Sequence, residues 1–331
     1  MITKLDTDII RFIETHGWSG ASFTQMTSDA SARRYVRLKN SSKSAILMDA
    51  RDVERSQTEQ FCKVAGVLRD HGMSVPTIYA CDLVSGLILL EDFGDQVFAR
   101  LMESDPKREV DLYRDAIDAL IYLRSLKPPK TLNIASSEVL TSMLDPFFDH
   151  FVDGNQKDHT VVSALQRQLR GALNVIDHGK RVISLRDCHA ENLMFLKNRV
   201  GFASVGLLDF QDAFICHPAY DLVSLLQDAR RCVTPEIEKD MIGYYLSQVD
   251  EHNESFFASY RILGIQRNLR ILGIFARLAY NENKSSYLVL IPRVKGYIQS
   301  TLGAAEFDAF HDDLMSLLSA PTRNLQRAAH V

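Results

Sequence analysis

Residues 182–213, VISLRDCHAENLMFLKNRVGFASVGLLDFQDA, constrain this chain more than any other stretch. The apolar run VISL predicts a strand that delivers Asp187 into a polar turn. Asn192 follows five residues later, and a further apolar run, VGLLDF, delivers Asp209. The arrangement suits phosphoryl transfer. Mg2+ arriving with ATP is a hard ion that takes oxygen ligands, and phosphates and water complete its octahedron, so Asn192 and Asp209 suffice on the protein side. The transferred group needs positioning and charge neutralisation more than covalent help. Asp187 is the candidate to orient an acceptor hydroxyl and take its proton. Simple turn roles for Asp187 and Asn192 are the plain rival, but they leave Asp209 unexplained. Cys188 and His189 bring a transition metal to mind, yet no second Cys/His pair stands at zinc spacing.

Upstream, Thr7 to His16 reads as a short amphipathic helix, and RRYVRLKN with SAILMDA as a β-hairpin around a polar turn. Phe61, Val64, Ala65 and Leu68 recur at i, i+3, i+4 and i+7, which predicts a helix stopped at His71-Gly72. VPTIYACD and SGLILLEDFG predict two further strands. A helix from Lys107 to Leu126 ends at Pro128-Pro129, and everything after about Pro218 is helical in pattern. Hairpin, helix, strands and then helices make an α+β chain, with a small N-terminal sheet lobe at residues 1–94 and a larger, mainly helical lobe at 95–331.

Taken in order, SDASARRYVRL, AILMDA, GLILLEDFG, LRDCHAENLMFL and LLDFQDAFICHPAYDLVSLL resemble the aminoglycoside phosphotransferase and choline kinase family, whose fold is the two-lobed protein-kinase-like one. Within it they are similar to bacterial anomeric kinases of N-acetylmuramate and N-acetylglucosamine, enzymes of peptidoglycan recycling. The resemblance runs from about Ser28 to Leu226. It implies that Asp187 is catalytic, that Asn192 and Asp209 hold Mg2+, and that Asp221 braces the catalytic loop, with a helix N-cap as the rival role. It further implies that Ser31 and nearby backbone N–H groups cover the ATP phosphates, and that backbone near Glu91 and Phe93 reads adenine.

Two positions depart from the family pattern. Met48 stands where the phosphate-pairing lysine is expected, so a cation must come from Arg33, Arg34 or Arg37, with Arg34 the first choice. Glu59 or Glu54 would be the remnant of that lysine's partner. Leu185 replaces a histidine that packs and orients the loop.

Composition narrows the partners. A net charge of -4, with both signs mixed along the chain, leaves no basic footprint for nucleic acid. No apolar run reaches the roughly 20 residues of a membrane span. Five cysteines without a C-x-x-C point to a reducing cytoplasm. The expected partner is a small-molecule acceptor, an amino sugar first. Choline-type acceptors would call for an aromatic cage, for which Phe147, Phe148 and Phe151 are candidates, and aminoglycosides for acidic residues such as Asp145, Asp149 and Asp153. A non-catalytic nucleotide-binding protein is the remaining alternative, motivated by Met48 and Leu185.

Overall fold

The computed structural model describes residues 6–26, 32–41, 43–152, 159–304 and 307–319. The elements run α1 (Thr7–Thr15), β1 (Ser22–Gln25), β2 (Arg34–Asn40), β3 (Lys43–Asp49), α2 (Arg55–Asp70), β4 (Ile78–Asp82), β5 (Leu87–Glu91), α3 (Phe98–Ser104) and α4 (Glu109–Ser125). Next come α5 (Ser137–Ser142), a π-helical turn (Phe147–Phe151), α6 (His159–Leu173) and the short strands β6 (Val182–Ser184), β7 (Leu193–Phe195), β8 (Val205–Leu207) and β9 (Phe214–Cys216). Helices α7 (Ala219–Leu226), α8 (Pro235–Gln248), α9 (Asn253–Asn281), α10 (Ile291–Leu302) and α11 (His311–Ser319) follow. An antiparallel N-terminal sheet with a mostly helical remainder is the expected α+β class. The chain divides into two compact units, one of Met1–Ala119 with Glu191–Ala213, the other of Leu120–Ala190 with Phe214–Val331.

In the first unit the strand order is β1-β2-β3-β5-β4, antiparallel throughout. β2 and β3 form the expected hairpin, with Asn40 opposite Lys43 and Ser41 at φ 49° in the turn. Side chains alternate across a strand, so the register sorts this sheet into two faces. Val36, Leu38, Ala45, Leu47, Leu87 and Leu89 build one core with Ile9, Phe12 and Ile13 of α1 and with Trp18. Tyr35, Arg37, Ile46, Met48, Ile88 and Leu90 occupy the opposite face. The buried stripe of α2 is the one its spacing predicts, Phe61, Val64, Ala65 and Leu68. Gly72, at φ 78°, ends that helix: its N–H donates to the Arg69 carbonyl and that of Met73 to Leu68, a Schellman closure that favours glycine. Cys62 and Cys81, apart in sequence, bring their sulfurs to 3.5 Å.

In the second unit β6 pairs with β9, Ser184 opposite Phe214. The 29-residue α9 is buried along most of its length between Phe256 and Ala279. A Cβ at Gly273 would overlap the Pro146–Phe147 backbone, so glycine is what lets the π-helical turn lie against α9. Phe147, Phe148 and Phe151 are buried in that turn, Phe147 and Phe151 stacked at 5.4 Å. They are core rather than a cage. Asp145 and Asp149 are exposed, and Asp153 lies outside the described residues. Among the described residues no helix is long and apolar enough to cross a membrane.

Candidate active site

β7 and β8 pair Leu193 with Leu207, and the Leu208 N–H donates to the Asn192 carbonyl at 2.9 Å. That register sets Asn192 and Asp209 at the same end of one hairpin in the first unit. Both offer oxygen, the donor type a hard Mg2+ takes, so the pair fits that ion. Asp209 sits at φ 55°, a left-handed conformation that aspartate tolerates better than most residues. Gln211 donates to its carboxylate at 2.8 Å. Phe210, the next residue, stacks on Phe61 of α2 with centroids 5.2 Å apart.

The hairpin arginines separate by face. Arg33 is buried and shares the strand parity of Tyr35 and Met48. Burial pushes the Tyr35 phenol up to about 12, and the charges of Arg33 and Asp209 both act on it. Arg34, first choice on sequence grounds, points to the other face. Its guanidinium lies 3.1 Å from Asp49 and 3.2 Å from Asp52, beside an Arg51 that also pairs with Asp49 and with Asp6. Alternation puts it with Val36 and Leu47, away from Met48. Arg37 is committed elsewhere: Nη2 donates to Asp92 Oδ1 at 3.0 Å and to the Gly94 carbonyl at 2.8 Å, Nη1 donates to Asp95 at 2.6 Å, and Nε lies 2.9 Å from Asp92 Oδ2 without a hydrogen bond.

Met48 is fully buried opposite Tyr35 and Ile88. Glu59 is exposed and pairs with Arg55 on its own helix, while Glu54 accepts from Ser56 at the helix start. Ser31 lies outside the described residues. The Glu91 carboxylate accepts from Thr77 Oγ1 at 2.8 Å and from Arg199 at 2.7 Å, and its N–H donates to the Thr77 carbonyl. Arg199 also lies over the Phe93 ring at 5.3 Å. A Cβ on Gly206 of β8 would approach that ring to 2.9 Å, so a side chain there would displace it. Glu91 and Phe93 are therefore held from several sides.

The second unit carries Asp187. The loop that presents it follows β6 and passes through Arg186, whose φ of 73° is unusual for a residue with a side chain. Asp221 of α7 holds that turn. Its carboxylate accepts from Ser184 Oγ at 2.9 Å, from the Leu185 N–H at 2.7 Å and from the Arg186 N–H at 3.0 Å. This is the bracing role, and the helix cap position is Pro218 instead. Burial raises the Asp221 carboxyl to about 6, against the pull of those donors. Leu185 is buried.

Asp187 keeps 29% of its side-chain surface exposed, and Arg267 Nη2 donates to it at 3.4 Å. Burial pushes its pKa up, but the charges of Arg267, Arg270, His189 and Arg186 outweigh that and hold it below the ordinary value. Sequence reasoning missed Arg267 and Arg270. Both lie on α9 inside GIQRNLRILGIFAR, where a polar Gln-Arg-Asn-x-Arg cluster interrupts an apolar run and could have signalled them. Asp228 is buried as well, accepts from the Arg230 N–H at 2.8 Å through Oδ1, and has no described hydrogen-bond partner for Oδ2.

Against known proteins, the model of the phosphotransferase enzyme family matches residues 22–257. The N-acetylmuramate/N-acetylglucosamine kinase of Caulobacter vibrioides is 35% identical over 87% of this chain and 89% of its own. The protein of the same name from Pseudomonas aeruginosa is 29% identical over 90% of each chain. Among solved structures, a choline/ethanolamine kinase family protein from Mesorhizobium loti superimposes with a TM-score of 0.64 at 14% identity, over 94% of this chain and 99% of that one. An ADP-bound aminoglycoside phosphotransferase gives a TM-score of 0.63 at 13% identity, over 92% and 99%. At such identities these two speak for the fold, which is protein-kinase-like.

Proposed function

We propose that this chain, which belongs to the phosphotransferase enzyme family, is a small-molecule kinase that moves the terminal phosphoryl group of ATP to the anomeric hydroxyl of N-acetylmuramate or N-acetylglucosamine. The observation that carries the choice of acceptor is the shared name of the two relatives that align over most of the chain. Asp187 is the group that orients the acceptor hydroxyl. As the new O–P bond forms and ADP leaves, the hydroxyl proton passes to an Asp187 carboxylate oxygen.

The charges around Asp187 make it a weak base, and the proposed acceptor matches that. An anomeric hydroxyl belongs to a hemiacetal and gives up its proton more readily than an ordinary alcohol, so a carboxylate held ionised and hydrogen-bond-ready is adequate. Asp221 fixes where the carboxylate stands by fastening three consecutive residues before it.

On the nucleotide side, Asn192 and Asp209 would hold Mg2+. That ion supplies charge neutralisation on the phosphates. Arg33 takes over from Arg34 as the candidate for the phosphate-binding cation, since Arg33 shares the face of Met48 and its charge acts with that of Asp209 on Tyr35. Adenine recognition falls to backbone past Glu91, whose N–H is already given to Thr77, with Phe93 the nearest candidate. Residues 1–94 would carry nucleotide binding, Ser31 included, and residues 95–331 catalysis and the acceptor. ATP as donor fits a cytoplasmic setting.

The test is a panel assay: purified protein with ATP and Mg2+ is offered N-acetylglucosamine, N-acetylmuramate, choline and an aminoglycoside. Phosphorylation of the two acetylated sugars is the expected result, and transfer to choline or the aminoglycoside alone would contradict the reading.

A further inference from the structure

Positive charge gathers around Asp187. Three arginines, Arg186, Arg267 and Arg270, act on Asp187 together. The other carboxylate among them, Asp221, is spent on Ser184 and two backbone N–H groups. Arg267 is buried, touches Asp187 through Nη2 alone, and its Nε has no hydrogen-bond partner among the described residues. Arg270 stands three residues on, the spacing that puts two side chains on one helix face. It is half-buried, and among the described residues its guanidinium makes no hydrogen bond or ion pair. The hydroxyl of Tyr220, fully buried, is likewise without a partner among them, and it feels the charges of Arg270 and Arg267.

Buried donors are normally satisfied, and a charge drawn out of water without a counter-charge is costly. A guanidinium with no described partner, an unused N–H and an unpartnered phenol, grouped electrostatically about one partly open carboxylate, therefore match a ligand that brings its own negative charge. We infer that Arg270, Arg267 and the Tyr220 hydroxyl form an anion subsite beside Asp187 that binds a carboxylate carried by the acceptor sugar. Arg270 is the specificity-determining residue. This rests on the amino-sugar reading above and deepens it. Of the two acceptors, N-acetylmuramate carries a carboxylate on its lactyl ether and N-acetylglucosamine carries none, so the subsite distinguishes them. Planar, fork-shaped arginine suits a carboxylate, which accepts two parallel hydrogen bonds.

The experiment measures kcat/KM for both sugars with wild type, Arg270→Gln and Arg270→Lys, and with wild type alone for the neutral methyl ester of N-acetylmuramate. The preference for N-acetylmuramate over N-acetylglucosamine should fall roughly 10- to 100-fold in Arg270→Gln, the span of a charge-assisted hydrogen bond, and less in Arg270→Lys. In wild type the methyl ester should lose the preference by a similar factor, a readout independent of how any variant folds. A ratio unchanged within about twofold, with both sugars falling in parallel, would assign the arginines to phosphoryl transfer or to the fold and overturn the subsite, as would a methyl ester used as well as the acid. Wild type active on N-acetylglucosamine but not on N-acetylmuramate overturns the subsite and leaves the kinase reading standing. Activity on neither sugar overturns both.

Discussion

The arginines of β2 and those of α9 face opposite situations. On β2, Arg34 and Arg37 are answered by Asp49, Asp52, Asp92 and Asp95, whereas on α9 Arg267 has a single long contact to Asp187 and Arg270 has no hydrogen bond or ion pair among the described residues. Proximity in sequence to a phosphate-binding turn made the strand arginines look functional. Their carboxylate partners make them part of the scaffold. The helix arginines lie beyond the residues that carry the resemblance, and burial beside an ionised aspartate makes them the better ligand-binding candidates. An arginine is available to a substrate when its own chain leaves it unanswered, and that depends on tertiary contacts.

The largest effect is expected at the acceptor end of this contrast. Asp187→Asn should lower turnover by roughly 10²–10⁴-fold, the usual worth of a general base, while ATP affinity stays close to wild type. Steady-state kinetics beside nucleotide titration checks this, and a turnover within a few-fold of wild type would remove Asp187 from the chemistry.

Asp221 sharpens the comparison by pH. Burial raises its folded pKa from the ordinary 3.8 to about 6, so the folded protein takes up this proton before the unfolded chain does. Its contribution to stability is fully present below about pH 4 and is lost as pH rises through about 6, amounting to about 3 kcal/mol. Denaturant unfolding from pH 4 to 8 should show that slope in wild type and a flatter one in Asp221→Asn. Equal slopes would mean that the carboxyl titrates normally.

On the scaffold side, Arg37→Ala removes the ion pairs to Asp92 and Asp95 and the hydrogen bond to the Gly94 carbonyl from a guanidinium only 14% exposed. Loss of roughly 1.5–3 kcal/mol of stability is expected, measured by chemical unfolding. The smallest effect belongs to Arg34→Ala. With 42% of its side chain exposed, screening by solvent leaves under about 1 kcal/mol, and the Michaelis constant for ATP should stay within about twofold. A large rise in that constant would return Arg34 to the nucleotide and break the contrast between the two regions.

The same logic separates what was legible in the sequence from what was not. The β2–β3 hairpin, α2 and the β6-to-β8 stretch could be read because alternation, a 3–4 spacing and short apolar runs are local signals. Strands β1 and β9 could not. β1 shows only one half-buried residue in four, and β9 has three residues, all buried, so neither displays a period. Asn192 and Asp209 were readable as a pair because the hairpin that unites them is local. The face of Arg34 could not be read without the strand's register, since one residue along the chain reverses it. Arg267 and Arg270 lie 80 and 83 residues beyond Asp187, a separation that only packing bridges.

The central claim is that this chain phosphorylates the anomeric hydroxyl of an acetylated amino sugar. Proton-coupled phosphorus NMR of wild-type protein with ATP, Mg2+ and N-acetylglucosamine tests it most directly. The account predicts ADP together with a sugar-phosphate resonance split by the anomeric proton. A phosphate coupled to the C6 protons, or ATP turnover that leaves the sugar unmodified, would contradict it.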